Sequence, residues 1–487
     1  MAVTPDGPAP GVHPRRVAAS ATVPGDAAAG HGVPFAEAVR VWLRVAALSF
    51  GGPAGQIAVM HRVLVEERRW VSEARFLHAL GYCTVLPGPE AQQLATYVGW
   101  LMHRTRGGVV AGGLFVLPGF LSILALSWIY VLYGNTGPVA AVFFGLKAAV
   151  VAVVLQAVLR LGRRALRDPA TRGIAAAAFA ALFLFGVPFP LVVLAAGVAG
   201  YLGARAGATN PVRAGATHRV GAGPPAPAAA PEHGGGGALE EATPEHARPD
   251  AARALRTAAV WLALWLVPVA AVLLVWGWDS TPGRIAVFFS QMAVVTFGGA
   301  YAVLAYVAQQ AVEHYGWLRP GEMLDGLALA ETTPGPLIMV VQFVGFLAAY
   351  RDPGTLPPLL AATLGAVLTT WVTFAPCFLW VFVGGPYVEA LRGNRALNGA
   401  LAAITAAVVG VIANLALWFA LHALFREQVP VAWGPLRFEV PVPGSVDPVL
   451  LALSVLATAA LLRGVGVFAV LGGCALAGVL LHAAGLA

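Results

Sequence analysis

Charged residues are scarce in this chain: 11% of the 487 side chains are charged, against roughly a quarter in an ordinary soluble domain. That scarcity excludes a soluble globular protein. Hydrophobic residues make up 59% of the chain, and apolar stretches of about 20 residues, enough to cross a bilayer, recur along it. No alternating β-barrel pattern competes with them, so the backbone in lipid has to be helical. We therefore predict an all-α, polytopic membrane protein.

Cysteine is also scarce. Cys83, Cys377 and Cys474 lie far apart in apolar surroundings, without the spacing of a metal site or a disulfide framework, and we interpret them as packing residues. The chain has no HExxH, GxSxG, CxxC or haem motif, which argues against an intramembrane enzyme, and we expect neither a metal nor another cofactor. It also lacks a G-x-x-x-x-G-K-[ST] loop, so ATP does not drive it directly.

Two segments are too rich in Pro, Gly and Ala to form a core. Residues 1–34 have no apolar run, which predicts a disordered cytoplasmic tail and not a cleavable signal. Residues 205–254 predict a disordered linker. The net charge of +7 raises the alternative of a nucleic-acid partner. The arginines are scattered through loops, however, as the positive-inside rule predicts, so we expect the lipid bilayer and no nucleic acid.

An internal repeat lies on either side of the linker. A shift of 247 residues superimposes Phe50-Gly51-Gly52 on Phe297-Gly298-Gly299, and Pro87-Gly88-Pro89 on Pro334-Gly335-Pro336. Further along, the shift is 258 and pairs Pro118 with Pro376. We therefore expect a first repeat at 35–204 and a second at 255–487.

The apolar stretches predict about 13 transmembrane helices. In the first repeat these are 36–60, 75–103, 107–133, 138–161, 173–186 and 187–204. In the second they are 256–277, 284–310, 321–349, 357–383, 397–422, 448–462 and 465–486. The helix at 256–277 has no counterpart before Phe50, so the second copy enters the membrane from the opposite face. This predicts inverted-topology repeats, an architecture that many alternating-access transporters share.

Arginines orient these helices if the N-terminus is cytoplasmic. Most of them then fall on the cytoplasmic side, among them Arg104, Arg106 and the cluster at 160–167, while the connections at 134–137 and 186–190 carry no Lys or Arg. Arg62, Arg68 and Arg69 fall on the outside and are the exception.

The Pro-Gly-Pro motif interrupts an apolar stretch in each repeat, at Pro87, Gly88, Pro89 and at Pro334, Gly335, Pro336. Its first proline disfavours helix in the residue before it, the glycine permits a turn, and the second proline suits the start of a new helix. Each motif therefore predicts a helix N-terminus in the bilayer, with unpaired N–H groups at 90–92 and 337–339 that attract anions. Because such backbone has to face protein or a wet cavity, a polar cavity near the bilayer centre is predicted. A simple kink is the alternative, but the duplication at fixed spacing argues against it.

These motifs resemble a known family. The stretches "SFGGPAGQIAVM", "RRWVSEARFLHALGYCTVLPGPEAQQLATYVGW", "VTFGGAYAVLAYV" and "GEMLDGLALAETTPGPLIMVVQFVGF" are similar to those of the chromate ion transporter family in its long, fused form. The resemblance covers nearly the whole chain outside the tail and the linker. It implies export of chromate from the bacterial cytoplasm across the inner membrane, driven by the proton-motive force, with sulfate associated with some relatives.

Several side chains are candidates for holding a divalent oxyanion. Lys147, the only lysine, sits near the middle of a predicted span, where it needs a dianion or an acidic partner such as Glu90 or Glu331. Amides and hydroxyls donate without the cost of a buried charge, although bonds between helices or to the local backbone are the alternative. The predicted substrate-binding set is Gly51, Gly52, Gln92, Gln93, Lys147, Gly298, Gly299, Thr332, Thr333 and Gln342.

Glu90 and Glu331 are candidates for proton coupling. An ionised Glu90 competes with a bound oxyanion for the N–H groups that follow the first Pro-Gly-Pro motif, whereas a protonated Glu90 does not. Glu331 lies at a helix C-terminus, where a negative charge needs a cation or a proton. A plain helix-end charge is the alternative for Glu90, and pairing with an arginine is the alternative for Glu331.

The sequence therefore predicts a secondary transporter that exports chromate by alternating access. A sulfate uptake transporter is the close alternative, because the two dianions have nearly the same charge and shape, and an anion channel is a further one. Symport or exchange of protons stays open, as does the oligomeric state, with a homodimer as one candidate.

Overall fold

The structure is a computed structural model. It describes residues 32–84, 86–134, 136–206, 244–297, 300–387, 394–434 and 436–485. Most of the predicted tail and of the predicted linker lie outside the described residues, as do Gly298 and Gly299.

Helices dominate the described residues of the first repeat. They are α1 (Phe35–Leu48), α2 (Gly52–His61), α3 (Glu73–Cys83), α4 (Glu90–Tyr133), α5 (Gly137–Ala165), α6 (Pro169–Phe183) and α7 (Phe189–Arg205). A π-helical turn, Arg62–Glu67, continues α2. The segment α4 consists of two helices that meet at the non-helical residues His103 and Arg104 and pack against each other, since a Cβ on Gly112 would lie 2.9 Å from Nε2 of Gln92.

The second repeat follows the same order after one additional helix. Its helices are α8 (Ala251–Trp276), α9 (Thr281–Val295), α10 (Ala300–Gln309), α11 (Pro320–Thr332), α12 (Val340–Arg351), α13 (Pro358–Gly384), α14 (Arg395–Leu424), α15 (Pro448–Leu462) and α16 (Val467–Ala483). A π-helical turn, Gln310–His314, continues α10, and a 3-10 turn, Leu337–Met339, precedes α12.

Five helical segments in the described residues are long and apolar enough to cross a membrane. They are Glu90–Tyr133, Gly137–Ala165, Ala251–Trp276, Pro358–Tyr387 and Arg395–Leu424. Shorter apolar helices, including α6, α7, α15 and α16, accompany them. The chain is thus an all-α, multi-pass membrane protein, as predicted.

The predicted single spans 36–60 and 75–103 are wrong, because the chain folds back on itself within each. On a continuous helix Glu37 and Arg68 would lie about 46 Å apart, yet their side chains form an ion pair of 3.2 Å. Tyr82 and Tyr97 lie on either side of Pro87-Gly88-Pro89, and their ring centroids are 5.2 Å apart. Helices α1–α2 and α3–α4 therefore form helical hairpins.

The predicted spans 284–310 and 321–349 are wrong for the same reason. Phe288 of α9 lies 6.0 Å from Tyr306 of α10, ring centroid to ring centroid. Arg351, at the end of α12, forms a 2.5 Å ion pair with Glu322, in the first turn of α11. Each repeat thus carries two helical hairpins, one at its Phe-Gly-Gly motif and one at its Pro-Gly-Pro motif.

Glycine conformations explain why the chain turns at these motifs. Gly51 and Gly52 have φ of 80° and 70°, and Gly88 and Gly335 have φ of 123° and 101°. Side chains with a Cβ rarely adopt such angles. Two consecutive left-handed residues, or one between two prolines, end a helix so sharply that the next helix runs back.

The hairpins of the two repeats open at opposite ends of the second helix of α4, which follows Arg104. His103, where the chain reverses, contacts the carbonyl of Val33 at the open end of the first hairpin. Gly119, farther along α4, lies against the turn at Pro334. Tyr130, near the far end, donates to Asp325, which lies towards the open end of the α11–α12 hairpin.

This arrangement corrects the predicted position of Arg62, Arg68 and Arg69. Because α1 and α2 form a hairpin, these arginines lie at the same end of the molecule as Arg104 and Arg106 and not at the opposite one. These three arginines therefore follow the positive-inside rule as the others do.

Long helices exchange partners between the repeats. Helix α5 of the first repeat packs against α15 and α16 of the second, and α14 of the second packs against α6 and α7 of the first. Glycines allow the closest approaches: a Cβ on Gly200 would lie 2.4 Å from the carbonyl oxygen of Gly399. The hydrophobic core therefore spans both repeats.

One β-hairpin, absent from the sequence prediction, follows α14. Its antiparallel strands are β1 (Gln428–Trp433) and β2 (Leu436–Pro441), and Val431 faces Phe438 in the register. The strands are short and lie between strongly apolar helices, so their weak alternation is easily overlooked.

Candidate functional site

The four hairpin turns meet in two pairs. We name them the hairpin tips and define their described residues as 49–52, 87–89, 296–297 and 334–336. The N–H of Gly88 donates to the carbonyl of Thr296 at 2.8 Å, and the N–H of Gly335 donates to the carbonyl of Ser49 at 2.9 Å. Each Pro-Gly-Pro tip is thus hydrogen-bonded to the Phe-Gly-Gly tip of the other repeat.

The tip at Gly335 is held by a side chain that the sequence analysis missed. Gln56 of α2 is buried, and its Nε2 donates to the carbonyl of Gly335 at 2.5 Å. The signal for this residue was a polar amide in an apolar helix four residues after the glycine pair. A Cβ on Gly335 would lie 2.8 Å from the Cα of Gly119, so α4 leaves no room for a side chain.

The tip at Gly88 has its own amide. Gln93 of α4 is buried, and its Nε2 donates to the carbonyl of Pro87 at 2.7 Å. A Cβ on Gly88 would lie 2.8 Å from that nitrogen and 2.9 Å from the sulfur of Cys377. Cys377 follows Pro376, as Gly119 follows Pro118, so equivalent points of α13 and α4 support the two Pro-Gly-Pro tips.

Gln92 and Gln342 lie on the helices that follow these two tips, and both are buried. Gln92 donates to the hydroxyl of Thr96 at 3.0 Å. Gln342 donates to the carbonyl of Phe120 on α4 at 3.0 Å. A side-chain amide carries two N–H donors, so each of these glutamines retains one beyond the bond described.

Three side-chain amide oxygens near the tips lack hydrogen-bond partners. The Oε1 atoms of Gln92, Gln93 and Gln342 are buried and have no hydrogen-bond partner within the described residues. A buried polar atom without a partner costs about 1 to 3 kcal/mol. These oxygens are acceptors, which a bound oxyanion cannot satisfy, so the donors available to an anion are the spare N–H groups of the same amides.

The two helix starts after the Pro-Gly-Pro motifs differ. Helix α4 begins at Glu90 directly after Pro89. After Pro336 the chain first makes the 3-10 turn of Leu337, Ile338 and Met339, all buried. The prediction of an unpaired N–H is wrong at Met339, which donates to the carbonyl of Pro336 at 2.9 Å, and the apolar side chains of all three residues enclose this start.

The predicted hydroxyl donors bond to their own helices. Thr332 donates to the carbonyls of Ala328 and Leu329, and Thr333 donates to that of Ala330. Ser49 donates to Val45 in the same way. The backbone-bonded alternative therefore describes these hydroxyls.

Of the predicted binding glycines, only Gly51 and Gly52 lie within the described residues. Gly51 is exposed, and a Cβ on it would meet nothing closer than Phe468 at 3.9 Å, while one on Gly52 would meet nothing within 4 Å. Their backbone is thus open to approach beside the tip at Gly335. Gly298 and Gly299, the equivalent pair, lie outside the described residues.

Glu90 and Glu331 both lie beside hairpin tips. Glu90 is half-buried and forms no ion pair with any described residue. Glu331 is buried, and its Oε1 accepts a hydrogen bond of 2.5 Å from the hydroxyl of Tyr301 on α10. The partner of Glu331 is thus a tyrosine and not the arginine weighed from the sequence.

Lys147 does not lie at the tips. Its Nζ is 3.5 Å from Oδ1 of Asp325, so its acidic partner is neither Glu90 nor Glu331. Tyr130 donates to the other oxygen of Asp325 at 2.9 Å. Along α11, Asp325 lies about 12 Å from Thr333 at the second Pro-Gly-Pro motif. Asp325 was missed because an acidic residue near a helix start looks like an ordinary end charge.

The tips offer hydrogen-bond donors at the helix start of Glu90 and at the spare amide N–H groups of Gln92 and Gln342, beside glycines that hold side chains away. Among the described residues, positive charge comes from α5, where Lys147 lies beside α11 farther from the tips and Arg160 is near enough to Glu331 to act on it electrostatically.

Comparison with known proteins agrees with these features. The Chromate transporter family model matches residues 36–201 and 283–479. A Chromate transport protein of Pseudomonas aeruginosa is 33% identical over 395 residues, covering 80% of this chain and 81% of that protein. A Chromate transport protein of Cupriavidus metallidurans is 27% identical, covering 81% of this chain and 84% of that protein. No solved structure matches the chain. The chain belongs to the chromate transporter family.

Proposed function

We propose that this protein is a secondary transporter that exports chromate across the bacterial inner membrane by alternating access, driven by the proton-motive force. The observation that supports this most is the reciprocal bonding of the hairpin tips, Gly88 to Thr296 and Gly335 to Ser49. It joins the two repeats near Gln92 and Gln342, buried amides that each use one of their two N–H donors in the bonds described. The choice of chromate as the anion comes from the names of the relatives.

We also propose that the two repeats are inverted in the membrane. Their hairpins open at opposite ends of the second helix of α4, in which about 39 Å separates Arg104 from Tyr130. This exceeds the hydrocarbon thickness of about 30 Å, so hairpins opening at those ends enter from opposite faces. Rocking of one repeat against the other then exposes the tips to one side at a time.

In this proposal the anion lies against the hairpin tips. Gln92, Gln93 and Gln342 donate hydrogen bonds, and Gly51 and Gly52, with Gly298 and Gly299, let the backbone approach it. Thr332 and Thr333 shape the turn through their local bonds. Glu90 and Glu331 stay candidates for proton coupling, because a carboxylate beside a bound dianion is relieved by a proton.

Sulfate uptake is the close alternative, because amides and backbone groups do not separate two tetrahedral dianions. An anion channel is the other. A channel passes the anion down its electrochemical gradient, so a membrane potential alone accumulates a dianion through it. Accumulation driven by a pH gradient at zero membrane potential therefore distinguishes the two classes.

The test is uptake of labelled chromate into inside-out vesicles, with a pH gradient and a membrane potential imposed separately and unlabelled sulfate as competitor. Accumulation above the external concentration that a pH gradient drives at zero membrane potential, and that collapses with this gradient, supports the proposal. Gln92→Ala should lower the rate at least tenfold, and Gln156→Ala, an amide away from the tips, should not. Uptake that only equilibrates, or equal rates for Gln92→Ala and the parent, would contradict it.

A further inference from the structure

The ion pair of Lys147 and Asp325 joins the two repeats away from the hairpin tips. Lys147 lies on α5 of the first repeat and Asp325 on α11 of the second. The side chain of Asp325 is 6% exposed and that of Lys147 is 28% exposed, so the carboxylate is enclosed while the ammonium is partly accessible. Any displacement of one repeat against the other changes this contact.

The repeat itself argues against a purely structural role. The residue equivalent to Asp325 in the first repeat is His78, and the one equivalent to Lys147 in the second is Thr405. The same helices therefore form in the other repeat without this pair. A buried ion pair is weak evidence for stability in any case, because desolvation offsets much of the attraction.

Lys147 is loosely held compared with its neighbours. Its distance to Asp325 is 3.5 Å, whereas charge-assisted hydrogen bonds measure about 2.7 to 2.9 Å. Tyr130 donates to Asp325 at 2.9 Å, and Arg351 approaches Glu322 to 2.5 Å. Gly321 provides the space, since a Cβ there would lie 3.1 Å from the lysine nitrogen.

The charged groups around Asp325 determine in which protonation state of Asp325 they attract an anion. Lys147 comes from α5, Tyr130 from α4, Glu322 from α11 itself and Arg351 from α12. Helices α14 and α16 also pack against α11, and their described residues place no charged group on Asp325. The two cations and two carboxylates cancel while Asp325 is ionised. A proton on Asp325 leaves one positive charge in excess and frees the ammonium of Lys147.

We propose that Lys147 and Asp325 form a proton-linked anion station, at which an oxyanion binds to Lys147 when Asp325 takes up a proton. The proton goes to a carboxylate oxygen of Asp325, and the anion takes its place as partner of the ammonium. Proton and anion then bind together and do not exclude each other, which is co-transport and not exchange, so the electrical part of the proton-motive force drives export while its pH part opposes it. This rests on the proposed transport function and adds to it the direction of coupling.

The test is binding of chromate to the purified full chain at alkaline pH in weak buffer, with a pH indicator that counts protons. The parent should take up about one proton per chromate bound, and its affinity should rise as the pH falls. Asp325→Asn should bind without proton uptake and with an affinity independent of pH. Lys147→Met should lose at least tenfold in affinity. Glu67→Gln, which alters the exposed pair with Arg44, should keep the proton count of the parent.

The double variant Lys147→Met/Asp325→Leu separates function from folding, because apolar replacement of a buried pair preserves stability. It should melt like the parent but lose proton-linked binding. Binding by the double variant like the parent, or proton uptake by Asp325→Asn, would overturn the inference. Chromate binding by the parent without proton uptake would overturn it and leave the proposed transporter standing. A parent that binds no chromate at any pH would end both.

Discussion

The amide N–H of Gly88 donates to the carbonyl of Thr296 at 2.8 Å. The equivalent bond runs from Gly335 to Ser49, and each glycine and each acceptor lies 247 positions from its counterpart. Both bonds pair a Pro-Gly-Pro turn with the residue before a Phe-Gly-Gly turn. A bond made twice with the repeats exchanged indicates approximate twofold symmetry at the tips. The symmetry is broken by side chains: Gln56 supports Gly335, whereas Gln93 supports Gly88.

Gly335→Ala should destabilise the protein more than Gly88→Ala. At Gly335 the new Cβ meets the backbone of Gly119, which cannot move aside, and at Gly88 it meets the flexible end of Gln93 and the sulfur of Cys377. Strain at positive φ and overpacking each cost about 1 to 3 kcal/mol, so we expect about 2 to 4 kcal/mol at Gly335. Thermal unfolding of the purified variants measures the difference.

Gly113→Ala is the control for these substitutions, because a Cβ there meets nothing within 4 Å and the residue is helical. It should be neutral or slightly stabilising. Equal melting temperatures for Gly335→Ala and Gly113→Ala would show that the second tip is not as tightly enclosed as described.

Gln56→Leu should impair the tip at Gly335 without a change of volume in the core. It leaves the carbonyl of Gly335 buried without its donor, at a cost of about 1 to 3 kcal/mol, and transport should fall at least tenfold. Gln156→Leu is the matched control, since Gln156 also donates to a carbonyl, that of Leu461, at 3.3 Å. A chromate flux that the two variants reduce equally would speak against a special role for Gln56.

Cysteine labelling should place the open ends of the hairpins on opposite faces of the membrane. In a background without Cys83, Cys377 and Cys474, which are buried, cysteines at Arg69 and Arg106 should react with an impermeant reagent from the cytoplasmic side. Cysteines at Asp279 and Arg319 should react from the outside, since all four positions are exposed. Labelling of the Arg69 and Arg319 positions from the same side would refute the inverted arrangement.

Composition and motif spacing were sufficient for the membrane class and for the turns at both Pro-Gly-Pro motifs. They were not sufficient for the direction of the chain after a turn, because a break between two apolar helices looks the same whether the chain continues or reverses. The ion pair between Glu37 and Arg68 decides that question, and it depends on two residues far apart in the sequence. The sequence contained one indication of the reversal, because Arg68 and Arg69 did not fit the positive-inside rule.

The candidate site was predictable in part for a similar reason. Gln92 and Gln93 follow a recognisable motif, and the structure places both beside hairpin tips. Lys147 stood out as the only lysine, but its partner depends on how α5 packs against α11, which no local pattern encodes. Asp325 lies about 12 Å along α11 from the turn. Lys147, its partner, is therefore not part of the site at the turns to which the sequence analysis assigned it.

Coupling of one proton to each chromate sets the charge that crosses the membrane. A chromate dianion carries two charges alone and one net charge with a proton, so a potential negative inside drives export of either. Each elementary charge contributes about 2.3 kcal/mol per 100 mV. In proteoliposomes at equal pH with a tenfold chromate gradient, net flux should vanish at about 59 mV for the parent and at about 30 mV for Asp325→Asn. A parent that balances near 30 mV moves chromate without a proton, and an unshifted Asp325→Asn would mean that another carboxylate, such as Glu90 or Glu331, carries the proton.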